Sequence, residues 1–259
     1  MELSEAAGAL GVHYQTAYQW VRQGTLPARK RGRGYEVDEA DVQALAARRQ
    51  AGQRPSRAIG VRDWPAQASQ LYQALADGEE THARRWLARL AAGVALIDLC
   101  EHVIAPALRR IGDDWAAGRV SMAQEHRASA ICERLIALHT AQPRGRPRGC
   151  AVVTTPSGER HGLPALMAAA CLREDRWLVH HLAADLPVAE VTRFAQDARA
   201  ALIVFSAVTD SGAADAVSAA AEVAAADPAP LVLAGHSGGS LQDLIRLSRA
   251  GRRPGVSYE

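Results

Sequence analysis

One short loop of the sequence carries residues suited to holding a metal ion. It reads Ser157-Gly158-Glu159-Arg160-His161 and follows an apolar run typical of a strand. A histidine two residues after a carboxylate can present one ring nitrogen to a metal, while the carboxylate holds the other nitrogen and fixes the tautomer. A single loop histidine is more often simply solvated, so the loop alone leaves both interpretations open.

A second set of residues lies earlier in the chain. Trp115 is followed, after nine intervening residues, by Glu125 and His126. We expect Trp115 at the end of one helix and Glu125 and His126 in the first turn of the next, so that both helices face one ligand. Ser129 and Ala130 are small, share the helix face of His126 and leave room for a flat macrocycle. Taken alone, a core tryptophan and a surface histidine are the simpler interpretation.

Two other chemistries find little support. The run Gly235-His236-Ser237-Gly238-Gly239 fits the Gly-x-Ser-x-Gly nucleophile elbow, but hydrolases of that fold place their histidine after the serine. The 22 residues after Ser237 contain no histidine. The four cysteines form no Cys-x-x-Cys pair and predict buried free thiols rather than disulfides or a zinc site; they are Cys100, Cys132, Cys150 and Cys171.

The His161 loop belongs to a segment, residues 150–259, in which strands and helices alternate. Apolar runs predict strands at 151–155, 177–182, 201–206, 231–234 and 256–258, with helices near 163–174, 187–199, 212–226 and 240–250. This alternation predicts a flavodoxin-like, doubly wound parallel sheet. Ligands bind outside the carboxyl ends of such strands. The loops at 156–161, 207–212 and 235–240 are therefore the predicted binding loops.

The preceding segment, residues 63–142, is helical throughout. Breaks at Asp77-Gly78, Ala92-Gly93 and Gly118 divide it into four helices, and Pro106 is expected to kink the third. The last helix opens with a Ser121-x-x-Gln124 capping box. Short loops between four helices predict a four-helix bundle.

The amino-terminal segment, residues 1–50, predicts a winged helix-turn-helix that binds DNA. Ser4 is expected to cap a first helix that ends at Gly11, and a second helix stops at Gly24. A basic hairpin over 27–37 precedes a helix capped by Asp38, with Val42 and Leu45 facing inward. The second helix offers side chains for base edges and phosphates, and the hairpin offers cations for phosphates alone; the first set is Tyr14, Gln15, Thr16, Tyr18, Gln19 and Arg22, and the second is Arg29, Lys30, Arg31 and Arg33. A protein-interaction domain with a solvated charge run is the alternative.

Charge and composition agree with this multidomain architecture of α and α/β parts. Residues 1–62 carry ten Lys and Arg against six Asp and Glu, whereas residues 143–259 carry twelve of each. A basic surplus confined to one domain indicates a polyanionic partner for that domain. Residues 51–62 and 143–149 are predicted linkers. No apolar run approaches the ~20 residues of a membrane span, so the sequence predicts a soluble cytoplasmic protein without a membrane partner.

The amino-terminal segment resembles MerR-type and excisionase-like regulators. The likeness lies in Ala6-Ala7-x-x-Leu10-Gly11-Val12, followed by Thr16-x-x-x-Trp20-x-x-x-Gly24.

The His161 loop resembles the Asp-x-His-x-x-Gly motif of cobalamin-binding domains, in which the histidine displaces dimethylbenzimidazole and ligates cobalt from below. Glu159 stands in place of the aspartate, and Pro164 in place of the glycine, with Gly162 nearby. That family forms a slot for the nucleotide tail from small residues at later strand ends; here these are Ser206, Val208, Thr209, Gly235, Ser237, Gly238 and Gly239. Whether Gly235 or the Gly238-Gly239 pair takes the family's glycine role stays open.

The spacing of Trp115, Glu125 and His126 is similar to the Trp-x₉-Glu-His signature of CarH-type (LitR-type) photoreceptors, which also share the order of the three segments. The resemblance implies adenosylcobalamin between bundle and sheet, with Trp115 and Glu125 beside the adenosyl group. It implies His161 as the lower cobalt ligand and His126 as the upper ligand after light. It also implies a dark homotetramer that represses genes by binding operator DNA, and a monomer or dimer once light breaks the cobalt–carbon bond.

Two other classes stay open. One is a regulator that senses cobalamin level or redox state without light. The other is a corrinoid carrier for methyl transfer, against which the basic helix-turn-helix counts because a carrier has no use for DNA. Enzymatic turnover by this chain is not expected.

Overall fold

The chain divides into two units, Met1–Arg62 and Asp63–Glu259. The computed structural model describes residues 1–10, 12, 14–22, 26–31, 34–43, 63–140, 145–235 and 239–250. Several predicted features lie outside the described residues; they are Gly11, Gly24, Arg33, Leu45, the 51–62 linker, Ser237, Gly238, the 256–258 strand, and the side chains of Gln19, Arg22, Lys30 and Arg31.

The first unit packs two short helices against a hairpin. Its elements are α1 (Leu3–Ala9), α2 (Tyr14–Arg22), β1 (Ala28–Arg31), antiparallel β2 (Gly34–Val37) and a helical turn at 39–43. Its apolar core gathers residues from both helices, β2, the last helical turn and the loops between them; they are Leu3, Ala6, Ala7, Leu10, Ala17, Leu26, Val37 and Val42. Asp38 caps the last turn by accepting a hydrogen bond from the Ala40 N–H at 3.1 Å.

The predicted Ser4 cap of α1 is wrong. The helix begins earlier because Leu3, which is buried, already lies in its first turn. Glu2 is the capping residue, and its backbone N–H donates to the Glu5 carboxylate at 3.0 Å. Ser4 therefore lies inside the helix.

The second unit begins with helices. They are α3 (Trp64–Asp77), α4 (Glu80–Ala91), α5 (Leu96–Leu99), a π-helical turn (Cys100–Ile104), α6 (Ala105–Ala116) and α7 (Met122–His139). The predicted breaks at Gly78 and Gly118 are confirmed, and both glycines adopt the left-handed conformation. The Ser121 capping box with Gln124 is also confirmed. At the predicted kink, the helix widens into the π turn, which ends two residues before Pro106, and Pro106 has no N–H to donate to the fourth preceding carbonyl.

The rest of the unit is the predicted parallel sheet with its crossover helices. The strands are β3 (Cys150–Thr154), β4 (Leu178–His181), β5 (Leu202–Ser206) and β6 (Leu231–Gly235), in the spatial order β4-β3-β5-β6. The helices are α8 (Gly162–Glu174), α9 (Val188–Asp197), α10 (Asp210–Ala226) and α11 (Leu241–Ala250). The observed strand ends fall within one or two residues of the predicted ones.

One face of the sheet packs against α9 and α10 in a core of its own. The other face shares one apolar core with the preceding helical segment, α8 and α11. Helix α7 packs against α8, and Cys100, Cys132 and Cys171 are buried in that core as free thiols, while Cys150 is half-buried. In the π turn, Glu101 accepts hydrogen bonds from the Ser240 hydroxyl at 2.7 Å and from the Gln242 N–H at 3.0 Å. The start of α11 is thereby tied to the helical segment. No helix in the described part of the chain is long and apolar enough to cross a bilayer.

Candidate functional site

The centre of the candidate site is the Glu159 carboxylate, which lies in the loop between β3 and α8. Its side chain is almost fully buried, with a residue exposure of 2%. One oxygen, Oε1, accepts the backbone N–H of His161 at 3.0 Å and lies 2.5 Å from Nδ1 of the same histidine. Glu159 therefore fixes both the backbone and the ring of His161.

The other oxygen of Glu159 binds the start of α10. Oε2 accepts hydrogen bonds from the N–H groups of Val208 and Thr209, at 3.0 and 3.1 Å, and from the Thr209 hydroxyl at 3.1 Å. A Cβ on Gly212 would lie 2.4 Å from this oxygen. Glycine at this position is therefore what allows the carboxylate to approach the helix terminus.

These contacts determine the charge of Glu159 and the tautomer of the His161 ring. Burial raises the pKa of Glu159, but the N–H donors of Val208, His161 and Thr209 outweigh it and lower the pKa to about 2. Because the ionised carboxylate can only accept, Nδ1 of His161 must carry the proton, and in the neutral ring the free lone pair is on Nε2. The His161 side chain is 58% exposed, so a metal can reach that nitrogen.

The loop after β4 supports this arrangement and was missed by the sequence reasoning. The N–H of Gly158 donates to the Asp185 carboxylate at 2.7 Å, and the Asp185 N–H donates to the Thr155 hydroxyl at 2.9 Å. The Thr155 hydroxyl in turn donates to the Glu159 carbonyl at 2.5 Å. Ligands bind outside the carboxyl ends of parallel strands, and Asp185 lies just after the carboxyl end of β4. The same rule therefore also predicts this fourth loop as a binding loop.

Other predicted residues lie along the same sheet edge. Ser206 and Gly235 end neighbouring strands and pair in register, and Gly239 precedes α11. Gly162 opens α8, and Pro164 is its third residue, where the missing proline N–H would have no intrahelical acceptor. Pro164 is therefore compatible with the helix that follows His161.

The second predicted group forms its own cluster at the start of α7. Glu125 Oε2 lies 2.7 Å from His126 Nδ1, and Glu125 Oε1 accepts the Ser129 hydroxyl at 2.8 Å. The His126 side chain is 72% exposed. Trp115, near the end of α6, is 47% exposed. An indole and an imidazole in these exposed positions are available to a ligand.

The predicted DNA-contacting residues lie on α2 and the hairpin. Tyr14, Gln15 and Thr16 are exposed on α2, and Arg29 is exposed on β1. Tyr14 stacks on Tyr18 with ring centroids 6.4 Å apart, and Tyr18 contacts Tyr35 edge-on at 5.7 Å. Tyr18 is therefore half-buried, and its ring links the helix to β2.

A separate cavity of about 520 Å³ opens at the opposite, amino edge of the sheet. It is lined by Trp177, Ala201 and Leu231, each at or just before the start of a strand, and by residues of the adjoining helices and loops. None of the predicted site residues lines it.

Two family models match different parts of the chain. A helix-turn-helix domain matches residues 1–50, and a B12 binding domain matches residues 67–138. Together they indicate a cobalamin-binding regulator with a DNA-binding domain. Among curated proteins, no match reaches significance.

Similar solved structures include a corrinoid protein, a cobalamin-binding protein and a methyltransferase complex. The monomethylamine corrinoid protein of Methanosarcina barkeri superposes with a TM-score of 0.54 at 15% identity, covering 64% of this chain and 82% of that one. A cobalamin-binding protein from Desulfitobacterium hafniense DCB-2 gives 0.36 at 14% identity, with 73% and 98% covered. The methanol:cobalamin methyltransferase complex MtaBC from Methanosarcina barkeri gives 0.37 at 16% identity, with 86% and 87% covered. The first superposition shows a shared fold.

Proposed function

We propose that this chain is a light-responsive transcriptional repressor whose cofactor is adenosylcobalamin. The observation that carries the proposal is the Glu159–His161 pair, which presents Nε2 at the carboxyl edge of a parallel sheet. In the part of the chain that the structure describes, no group of three His, Cys, Asp or Glu side chains is arranged to hold a metal. A metal at His161 would therefore bring most of its ligands with it, as a corrinoid does.

The chain's own residues have distinct roles in this proposal. His161 is the lower ligand, and Glu159 holds its tautomer and orientation. Gly162, Ser206, Val208, Thr209, Gly235 and Gly239 border the slot for the nucleotide tail; Ser237 and Gly238 belong to the same proposed set. Trp115 and Glu125 form the wall around the adenosyl group, and the small Ser129 leaves room for the macrocycle. When bound, the cofactor supplies a cobalt–carbon bond that light breaks.

His126 would hold the cobalt once light has removed the adenosyl group, and this new contact would provide the free-energy difference that a conformational switch requires. We propose a dark tetramer that releases DNA on dissociating to monomers or dimers. Several weakly binding helix-turn-helix domains on one assembly bind DNA far more tightly than one domain does. Dissociation therefore releases the operator without any change in the exposed residues of α2 and the hairpin.

The test compares the wild-type chain with His126→Ala, both loaded with adenosylcobalamin. We expect both to bind cofactor and DNA in darkness, and only the wild type to form a stable dissociated state after green light. Size-exclusion chromatography and gel retardation before and after illumination measure this. His139→Ala, at the far end of α7, is the matched control. Failure of His126→Ala to take up the cofactor, or an unchanged wild-type size after light, would contradict the proposal.

A corrinoid carrier for methyl transfer is the second candidate, favoured by the fold shared with the monomethylamine corrinoid protein. The helix-turn-helix domain argues against it. A loaded chain that retards no DNA in either light condition but exchanges methyl groups with a methyltransferase would favour the carrier. A loaded chain that changes size with cobalamin redox state and not with light would favour a chemical sensor.

A further inference from the structure

A buried carboxylate lies directly before the exposed indole of Trp115. Asp114 is 7% exposed and bonds to two side chains from different parts of the helical segment. The hydroxyl of Tyr72, on α3, donates to Asp114 Oδ2 at 2.5 Å. The Arg119 guanidinium donates to Asp114 Oδ1 through Nε at 2.7 Å and also through Nη2. A single carboxylate thus joins α3, α6 and the turn after α6.

The backbone of Asp114 holds the same turn. Its carbonyl accepts the N–H groups of Arg119 at 2.8 Å and Val120 at 3.1 Å. The carbonyl of Trp115 accepts the N–H of Gly118 at 2.9 Å. Residues 115–121 are therefore fixed from Asp114 up to the Ser121 cap of α7, and this stretch sets the separation between Trp115 and the Glu125–His126 pair.

The cluster is charged and supported by an aromatic ring. Hydrogen bonds from Tyr72 and Arg119 lower the pKa of Asp114, although burial opposes this. The guanidinium of Arg110, on α6, lies 3.8 Å from the centroid of the Tyr72 ring on α3. This cation–π contact joins the two helices. Because the ion pair with Arg119 depends on the charge of the carboxylate, loss of that charge should loosen the turn that directly follows Trp115.

We propose that Asp114 is a positioning residue for upper-face recognition: through Tyr72 and Arg119 it holds Trp115 where the indole contacts the cofactor's upper ligand. The inference rests on the proposed function. It assigns to Asp114 the discrimination between a corrinoid with an adenosyl group and one without it. Asp114 itself touches no cofactor in this proposal.

The test measures dissociation constants for adenosylcobalamin and hydroxocobalamin by absorption titration in darkness. The full-length wild-type chain is compared with Asp114→Asn, with the milder Tyr72→Phe and with the control Asp113→Asn, an exposed carboxylate one residue away. We expect Asp114→Asn to lower the preference for adenosylcobalamin about tenfold or more, as removal of groups that orient a ligand does. Tyr72→Phe should give a smaller loss, and Asp113→Asn no loss.

The ratio of the two dissociation constants distinguishes a positioning role of Asp114 from a purely structural one. Equal weakening of both corrinoids by Asp114→Asn and Tyr72→Phe would mean that Asp114 only supports folding, and would overturn the inference. An unchanged ratio in both variants would also overturn it. A wild-type chain that binds neither corrinoid would instead overturn the proposed function on which the inference depends.

Discussion

At the scale of the residue, one carboxylate organises the candidate site. Glu159 accepts five hydrogen bonds or close polar contacts from three residues, and the two donor residues directly before α10 lie 49 and 50 residues away in sequence. The two-residue spacing to His161 predicted the imidazole contact, because it is local. The contacts to Val208 and Thr209 could not be predicted from spacing, since they depend on how β3 and β5 pair.

The low pKa of Glu159 gives a pH-dependent stability. The pKa falls from an ordinary 4.5 to about 2 on folding, so the carboxylate stabilises the fold above about pH 4.5 and the contribution is lost as the pH falls toward 2. The shift corresponds to roughly 3 kcal/mol. We expect Glu159→Gln to lower the free energy of unfolding at pH 6 by a few kcal/mol, and this difference from the wild type to shrink at pH 3.

Urea unfolding of both chains at the two pH values measures the difference. Glu222→Gln removes an exposed carboxylate from α10 and should unfold like the wild type at both pH values. A Glu159→Gln deficit of the same size at pH 6 and pH 3 would mean that the carboxylate charge does not stabilise the fold.

At the scale of the element, hydrophobic periodicity and helix-breaking residues predicted which helices and strands form, but not the tertiary contacts between them. Alternating apolar runs predicted the parallel strands, and Gly78 and Gly118 marked helix ends correctly. Pro106 predicted a disturbance, but not that it takes the form of a π turn whose Cys100 and Val103 are buried in the shared core. Ser4 was a reasonable cap by residue type, yet the burial of Leu3 moved the helix start. The Asp114 cluster was missed because Tyr72 and Asp114 are 42 residues apart.

The start of α10 provides a test of the close approach between helix and carboxylate. Alanine normally stabilises a helix relative to glycine by up to about 1 kcal/mol, as we expect for Gly112→Ala on α6, where a Cβ meets nothing within 4 Å. Gly212→Ala should instead lower the free energy of unfolding by about 1–3 kcal/mol and weaken corrinoid binding. Thermal unfolding and absorption titration of both variants measure this, and the same response from both glycines would refute the assignment.

At the scale of the whole molecule, the chain combines a basic DNA-binding unit with a unit whose helical segment shares a core with one face of the sheet. The basic surplus of residues 1–62 predicted the DNA-binding domain, and the family match supports it. The shared core of the second unit was not evident from sequence, because a helical run followed by alternating elements is equally compatible with two separate cores. The hydrogen bonds that Glu101 accepts from Ser240 and Gln242 could not be predicted from residue spacing, because the partners lie 139 and 141 residues away in sequence.

The hairpin provides a test of DNA binding that needs no knowledge of the operator. We expect Arg29→Ala to weaken binding to a short duplex of arbitrary sequence and to reduce the slope of log affinity against log salt by about 1 per protomer, as loss of one phosphate contact does. Fluorescence anisotropy over a salt series measures the slope. Arg109→Ala, an exposed arginine on α6, is the control. An unchanged slope for Arg29→Ala, or an equal change for Arg109→Ala, would be inconsistent with phosphate contact by the hairpin.

His161 is the proposed cobalt ligand, and electron paramagnetic resonance of the chain loaded with cob(II)alamin detects such a nitrogen–cobalt bond. With unlabelled protein, an axial nitrogen splits the cobalt signal into triplets. In a chain containing nitrogen-15 histidine we predict doublets, which persist in His126→Ala and are lost in His161→Ala. Triplets that persist in the labelled wild-type chain would show that the cofactor keeps its own base, and would contradict the account.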